Sequence, residues 1–188
     1  MFQGQESDQK NADALTFDVR AIDFVILTHA HIDHSGLLPL LARRGFRGPI
    51  HATPATCDLL GVMLPDSGHL QEKDAEYANR NGFSKHKPAL PLYGIHDAER
   101  ALEHFSAVPF AKPVQLPGGA ILMFRRAGHI LGAATADIEW GGKRIVFSGD
   151  LGRYGDPIML DPEPVPEADY IVIESTYGNR IHEPGDPT

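Results

Sequence analysis

A single cysteine, Cys57, leaves this sequence of 188 residues without an internal disulfide and fits a reducing compartment. It lies in an apolar helical stretch, where a thiol serves packing rather than nucleophilic chemistry. No apolar run approaches the length of about 20 residues that spans a bilayer. The opening Met-Phe-Gln-Gly-Gln-Glu-Ser has neither the charged n-region nor the hydrophobic h-region of a secretory leader. A cytoplasmic location with no membrane partner is therefore expected. Positive charge is scarce as well: the formal net charge is −8, the opposite of the usual electrostatic footprint of a nucleic-acid-binding surface. Basic residues do group locally, at Arg43, Arg44 and Arg47, at Lys85 and Lys87, and at Arg125 and Arg126. Internal repeats and low-complexity tracts are missing too. What remains, 42% hydrophobic and 22% charged, is the composition of a globular domain with a sizeable core.

The chemistry concentrates in Thr28-His29-Ala30-His31-Ile32-Asp33-His34-Ser35-Gly36, which sets three imidazoles and a carboxylate within six residues. A lone loop histidine is usually just solvated, but this density of nitrogen and oxygen donors is that of a metal site, and zinc takes those ligand types. The preceding Ile22-Asp23-Phe24-Val25-Ile26-Leu27 reads as a short buried strand, so the donors leave its carboxyl end, where open α/β sheets place their chemistry. Asp23 is expected to assist the loop or cap a turn. In extended backbone His29 and His31 point to one side and can hold one ion, while Asp33 and His34, entering the next turn, can face a second.

Along the chain, residues 1–21 read as an irregular connection with a helical turn near 9–14. Ser35 is placed to cap a helix over 36–44. Pro49 to Ala52 reads as a strand in which His51 is a hydrogen-bonded structural histidine. Thr53-Pro54 opens a helix to about Leu64, which Pro65-Asp66-Ser67-Gly68 is expected to interrupt. A second, polar helix follows over 69–81, with Glu72, Lys73, Asp74, Glu76 and Arg80 on a solvated face. Residues 82–92 are loop-like without requiring a domain boundary, and His96 to Phe105 is a short amphipathic helix. The second half turns extended, with runs at 107–110, 114–116, 120–126, 133–140 and 144–148 read as antiparallel strands, Gly141-Gly142 as a hairpin turn, and Tyr170 to Ile173 as a last buried strand.

The His-x-His-x-Asp-His run resembles the signature of the metallo-β-lactamase superfamily. Met1-Phe2-Gln3-Gly4, Gly128-His129-Ile130-Leu131-Gly132, Phe147-Ser148-Gly149-Asp150-Leu151-Gly152 and Glu174-Ser175-Thr176-Tyr177-Gly178 are similar to its β-CASP branch of RNA-processing nucleases. The resemblance implies an αββα sandwich, incomplete at both ends: an amino-terminal strand ending in an aspartate would precede residue 1, and a β-CASP domain would begin near residue 180. It implies His129 as third histidine of a His29, His31, His129 cage on one Zn²⁺. Asp150 would bridge to a second Zn²⁺ held with Asp33 and His34 and short of one ligand within this chain. The implied activity is hydrolysis of RNA phosphodiester bonds, single strands foremost, by water activated between the two ions. Asp33 would also accept the proton of that water, and Glu174 would match the acid that orients a histidine serving the leaving group. The resemblance is compatible with a homodimer or a place in a processing complex. A thioesterase or lactamase of the same superfamily, and a nuclease-like subunit without activity, are the competing readings. No role is assigned to His182.

Overall fold

The computed structural model describes residues 1, 10–11, 13–82, 84, 87–176 and 178–179. His182, Lys85, Tyr177 and the Phe2–Gly4 part of the amino-terminal motif lie outside the described residues, as does part of the turn expected near 9–14. A 3₁₀ turn at Val19–Ala21 leads into strand β1 (Val25–Ile26). The next elements are the single turn α1 (Ile32–Ser35), α2 (Leu38–Arg43), β2 (Ile50–Ala52), α3 (Pro54–Asn81), α4 (Ile95–Leu102) and β3 (Phe105–Ala107). Strands β4 (Val114–Gln115), β5 (Ile121–Arg126), β6 (Ala134–Trp140), β7 (Lys143–Phe147) and β8 (Tyr170–Val172) complete the described elements.

Two sheets result. Strands β1, β2 and β3 form a parallel sheet in that order, with Val25 opposite Ile50 and Ile50 opposite Phe105. Strands β4 to β8 form the second in sequence order, antiparallel except for the parallel pair β7 and β8. Alternation along β1 divides the core. Val25 and Leu27 join Leu38, Leu41, Leu60, Leu64 and Ala98 of the helical layer, while Phe24 and Ile26 join Leu122, Phe124, Ala134 and Ala136 between the sheets. The described residues thus make helix, sheet and sheet layers, the mixed α/β class expected.

Several local expectations give way to the tertiary fold. Pro65 sits inside one continuous helix, α3, rather than breaking it. A proline removes one helical hydrogen bond, but tertiary contacts brace the helix on both sides. Leu60 and Leu64 are fully buried, Ser67 Oγ lies 2.8 Å from the hydroxyl of buried Tyr93, and Glu72 Oε1 accepts from the backbone N–H of Ile95 at 3.1 Å. Glu72 therefore leaves the solvated face assigned to it and caps α4. The helix expected to reach Phe105 ends at Leu102, because the carbonyl of His104 accepts from Ile50 N–H and recruits the following residues into the parallel sheet. The strand read at 107–110 is accordingly Phe105–Ala107 and is parallel. Strand β8 is not buried: Tyr170, Ile171 and Val172 are 59%, 60% and 51% exposed, since β8 is the last strand of its sheet among the described residues and pairs on one side only.

His51 also departs from expectation. Its ring is buried between the sheets near Phe24, and neither ring nitrogen has a hydrogen-bond partner among the described residues. Burial pushes its pKa below the ordinary 6.5, so the unfolded chain takes up a proton that the folded one refuses, and stability falls as pH drops below 6.5. An unpaired buried polar group costs about 1–3 kcal/mol. His51→Leu is expected to raise the unfolding free energy by about 1 kcal/mol at pH 7.5 and to lose less of it on moving to pH 5.5. Urea unfolding at both pH values, with chelator present throughout, measures this.

Candidate metal centre

Three strand ends deliver the polar residues to one place. The first is the loop after β1. Its backbone is tied to both sheets, because Leu27 N–H donates to His51 O and Thr28 O accepts from Ala134 N–H. His29 follows, fully buried, with Nδ1 3.1 Å from Thr28 Oγ1, which turns Nε2 inward. His31 precedes α1, the single turn that carries Asp33 and His34. Ser35 does not cap the next helix. It is buried within that turn, and its hydroxyl donates to the carbonyls of Ala30 and His31 at 2.9 Å, fastening the loop from beneath.

The second end is the turn after β5, where His129 stands between Gly128 and Gly132. The amino terminus of α3 holds this turn: the hydroxyls of Thr53 and Thr56 both donate to the carbonyl of Gly132, at 2.6 and 3.1 Å, and both bonds are buried. The third end is the turn after β7 carrying Asp150. Gly149 has φ +58, the left-handed region that favours glycine, and a side chain there would begin 2.8 Å from Thr28 Cβ. Gly152 is more constrained, since a Cβ would come within 1.8 Å of Gly128 O while its N–H donates to Ala127 O. The Asp150 turn is thus pressed against both the His129 turn and the root of the first loop.

All six residues marked in the sequence meet here. His31 Nδ1 lies 3.1 Å from His29 Nε2 and 3.1 Å from His129 Nε2. Asp150 Oδ2 lies 3.7 Å from His29 Nε2 and 3.5 Å from His129 Nε2. Ligand atoms of these four residues fall within 4.8 Å of one another. On the other side of the carboxylate, Asp150 Oδ1 lies 3.4 Å from His34 Nε2, which is 3.6 Å from Asp33 Oδ2. Asp23 stands apart, exposed at the opposite end of β1 from the donors.

The donor set suits a cation. Bonds of about 2.0–2.1 Å to a tetrahedral ion separate its ligand atoms by about 3.3–3.4 Å, close to the spacings within the His29, His31, His129, Asp150 group. Burial, followed by the neighbouring His34, His31 and His129 and partly offset by Asp33, pushes His29 down to about 3. Its imidazole is neutral at physiological pH and offers a lone pair inward. Around it, the rings of His34, His31 and His129 have centroids 4.2, 4.9 and 5.2 Å away.

Glu174 stands next to this centre without entering it. Its Oε1 accepts from Leu151 N–H at 2.6 Å, one residue past Asp150, and its own N–H donates to Ser148 Oγ at 3.1 Å. Two of the basic groups are occupied internally: Arg125 with buried Asp137, Arg126 with Glu163. The hydroxyls of Thr28, Thr53 and Thr56 were legible in the sequence only as neighbours of a motif and a helix start, since each acquires its role through a contact with another segment.

The family model of the metallo-β-lactamase superfamily matches residues 3–179. Ribonuclease TTHA0252 of Thermus thermophilus is 37% identical over 184 residues, covering 98% of this chain and 38% of the relative. Cleavage and polyadenylation specificity factor subunit 3 of Dictyostelium discoideum is 30% identical over 174 residues, 92% of this chain and 21% of the relative. Transcription termination factor FttA of Methanosarcina mazei is 32% identical over 167 residues, 87% of this chain and 24% of the relative. The chain therefore spans between a fifth and two fifths of the length of these relatives. With the family match running over nearly all of its residues, the chain belongs to the metallo-β-lactamase superfamily.

Proposed function

We propose that this chain is the metal-binding part of a β-CASP ribonuclease, with two Zn²⁺ as cofactors and single-stranded RNA as substrate. The observation that carries the reading is Asp150, partly exposed, whose two oxygens face two separate donor groups. The names of the relatives, a ribonuclease and a cleavage factor subunit among them, support RNA as the substrate class. A thioesterase or lactamase would share the donor groups, but would give Glu174 no part in its chemistry.

In this reading His29, His31 and His129 hold one ion, Asp33 and His34 the other, and Asp150 serves both. Bound divalent ions of this kind bring the pKa of water from 15.7 to about 7 and stabilise the charge that builds on a phosphoryl group. Asp33, half-exposed at the mouth of the site, accepts the proton released by the attacking water at a carboxylate oxygen. Glu174 supports the group that protonates the leaving oxygen, a histidine contributed by a β-CASP domain following near residue 180. That domain also carries the RNA-binding surface that the charge of −8 and the internally paired Arg125 and Arg126 deny to this part. No described helix is long and apolar enough to cross a membrane.

Two measurements test this. The chain purified without chelator should hold one zinc tightly and a second weakly, and His29→Ala or His129→Ala should abolish the tight site. Elemental analysis that finds no metal in the wild type would overturn the assignment. In the longer polypeptide carrying this chain, Asp150→Asn should remove cleavage of single-stranded RNA almost completely, whereas Glu174→Gln should leave zinc content unchanged and slow the chemical step by roughly 10²–10⁴-fold, the scale of lost acid–base assistance. Steady thioester or lactam hydrolysis, indifferent to Glu174→Gln and without RNA cleavage, would favour the competing hydrolases.

A further inference from the structure

The structure points to a second role for Glu174: we infer that its carboxylate positions Asp150, and through it the metal centre, by fastening the backbone just beyond that residue. The inference rests on the two-metal reading above but concerns a different interaction from the one that serves a leaving group.

The aim of Asp150 is set by the backbone on either side of it. A carboxylate that serves two donor groups has to be held in two directions at once, since Oδ1 lies 3.4 Å from His34 Nε2 while Oδ2 lies 3.5 Å from His129 Nε2. A small rotation of the backbone at 150 would improve one contact and lose the other. Asp150 is about a quarter exposed, so packing alone does not lock it. The chain before it is well held. Ser148 N–H donates to Val172 O at 2.9 Å, Ser148 Oγ donates to Gly149 O at 2.6 Å, and Thr135 Oγ1 donates to Ser148 O at 3.2 Å.

Beyond Asp150, the first hold is the bond from Leu151 N–H to Glu174 Oε1, at 2.6 Å. Gly152 N–H then donates to Ala127 O. The same glutamate donates its own N–H to Ser148 Oγ. Residues 172–174 therefore close around 148–151 as a clasp, with a bond on each side of Asp150, and Glu174 supplies the outer one. A carboxylate accepting from a backbone amide is among the stronger neutral-donor hydrogen bonds, and supporting groups of this kind tune a metal site through its ligands. Among the described residues only Oε1 is bonded in this way. Oε2 is the atom a second partner would take, so the clasp and the support of a leaving-group histidine are compatible on one side chain.

The donor group around His34 should feel the loss most. It has Asp33, His34 and Asp150 from this chain, whereas the other has three histidines besides the shared aspartate. Reach and charge make separable predictions. Glutamine keeps both the length and an acceptor oxygen, aspartate keeps the charge but is one methylene too short, and alanine keeps neither.

The test uses the chain with these three variants at 174, titrated with Zn²⁺ against a competing chelator, with exchange of the Leu151 amide followed by NMR. Glu174→Gln should match the wild type within a few-fold at the weaker site and retain a protected Leu151 amide. Glu174→Asp and Glu174→Ala should each weaken that site by roughly 10–100-fold, the scale for losing a supporting contact to a metal ligand, and should expose the Leu151 amide to faster exchange. The tight site should change little in all three. If Glu174→Asp behaves as wild type while Glu174→Gln weakens binding, charge rather than the bond is responsible and the inference fails. It fails equally if all three variants bind the second ion like the wild type. A wild-type chain that binds no metal would instead sink the two-metal reading, and amide exchange would still decide whether Glu174 holds Leu151. Thermal melting of each variant shows that the comparison is between folded proteins.

Discussion

Asp150 presents one oxygen to the imidazoles of His29 and His129 and the other to His34. Four imidazoles crowd one another, and burial together with the three neighbouring rings holds the fully buried His29 well below the ordinary imidazole range. The surrounding fold has to impose the geometry, and it does so at the backbone. Donors come from three turns, each anchored in sheet hydrogen bonds or by buried hydroxyls, so the side chains have little freedom left to relax apart.

This division of labour explains the layering. The parallel sheet, buttressed on one face by α2, α3 and α4, fixes where the β1 loop begins. The antiparallel sheet, packed on its other face, fixes where the turns of His129 and Asp150 begin. The site lies where the two sheets meet at one end, and the bond from Ala134 N–H to Thr28 O joins them there. Helix α3 contributes through its first turn, where two threonine hydroxyls share one carbonyl, rather than through its length.

The sequence carried the donors plainly because they are local or terminate local patterns: a dense run after a strand, and a histidine and an aspartate each flanked by glycine. It carried strands β5, β6 and β7 and their hairpin for the same reason, since alternation and Gly-Gly are nearest-neighbour signals. It misled where a distant segment decides. Pro65 reads as a break until Leu60, Leu64, Ser67 and Glu72 are seen bonded or packed on either side of it. Ser35 reads as a cap until its hydroxyl is found donating backward into the loop. His51 reads as paired because buried histidines usually are, yet between the sheets its ring lies near Phe24 and finds no hydrogen-bond partner among the described residues. Tyr170 to Val172 reads as interior because apolar runs usually are, and the edge position of β8 is a matter of topology that composition does not express.

The contact between Gly152 and Gly128 O bears on how such a domain can change over generations. Any glycine codon is a single base from an alanine codon, and alanine is ordinarily the mildest replacement. At Gly152 it would drive a methyl group into a carbonyl, separating the His129 turn from the Asp150 turn and parting two donors at once. Neither turn can drift on its own. Change in this architecture is therefore confined to segments outside these turns, such as the one bearing exposed Tyr154 and Ile158, where substitutions leave the spacing of the donors intact.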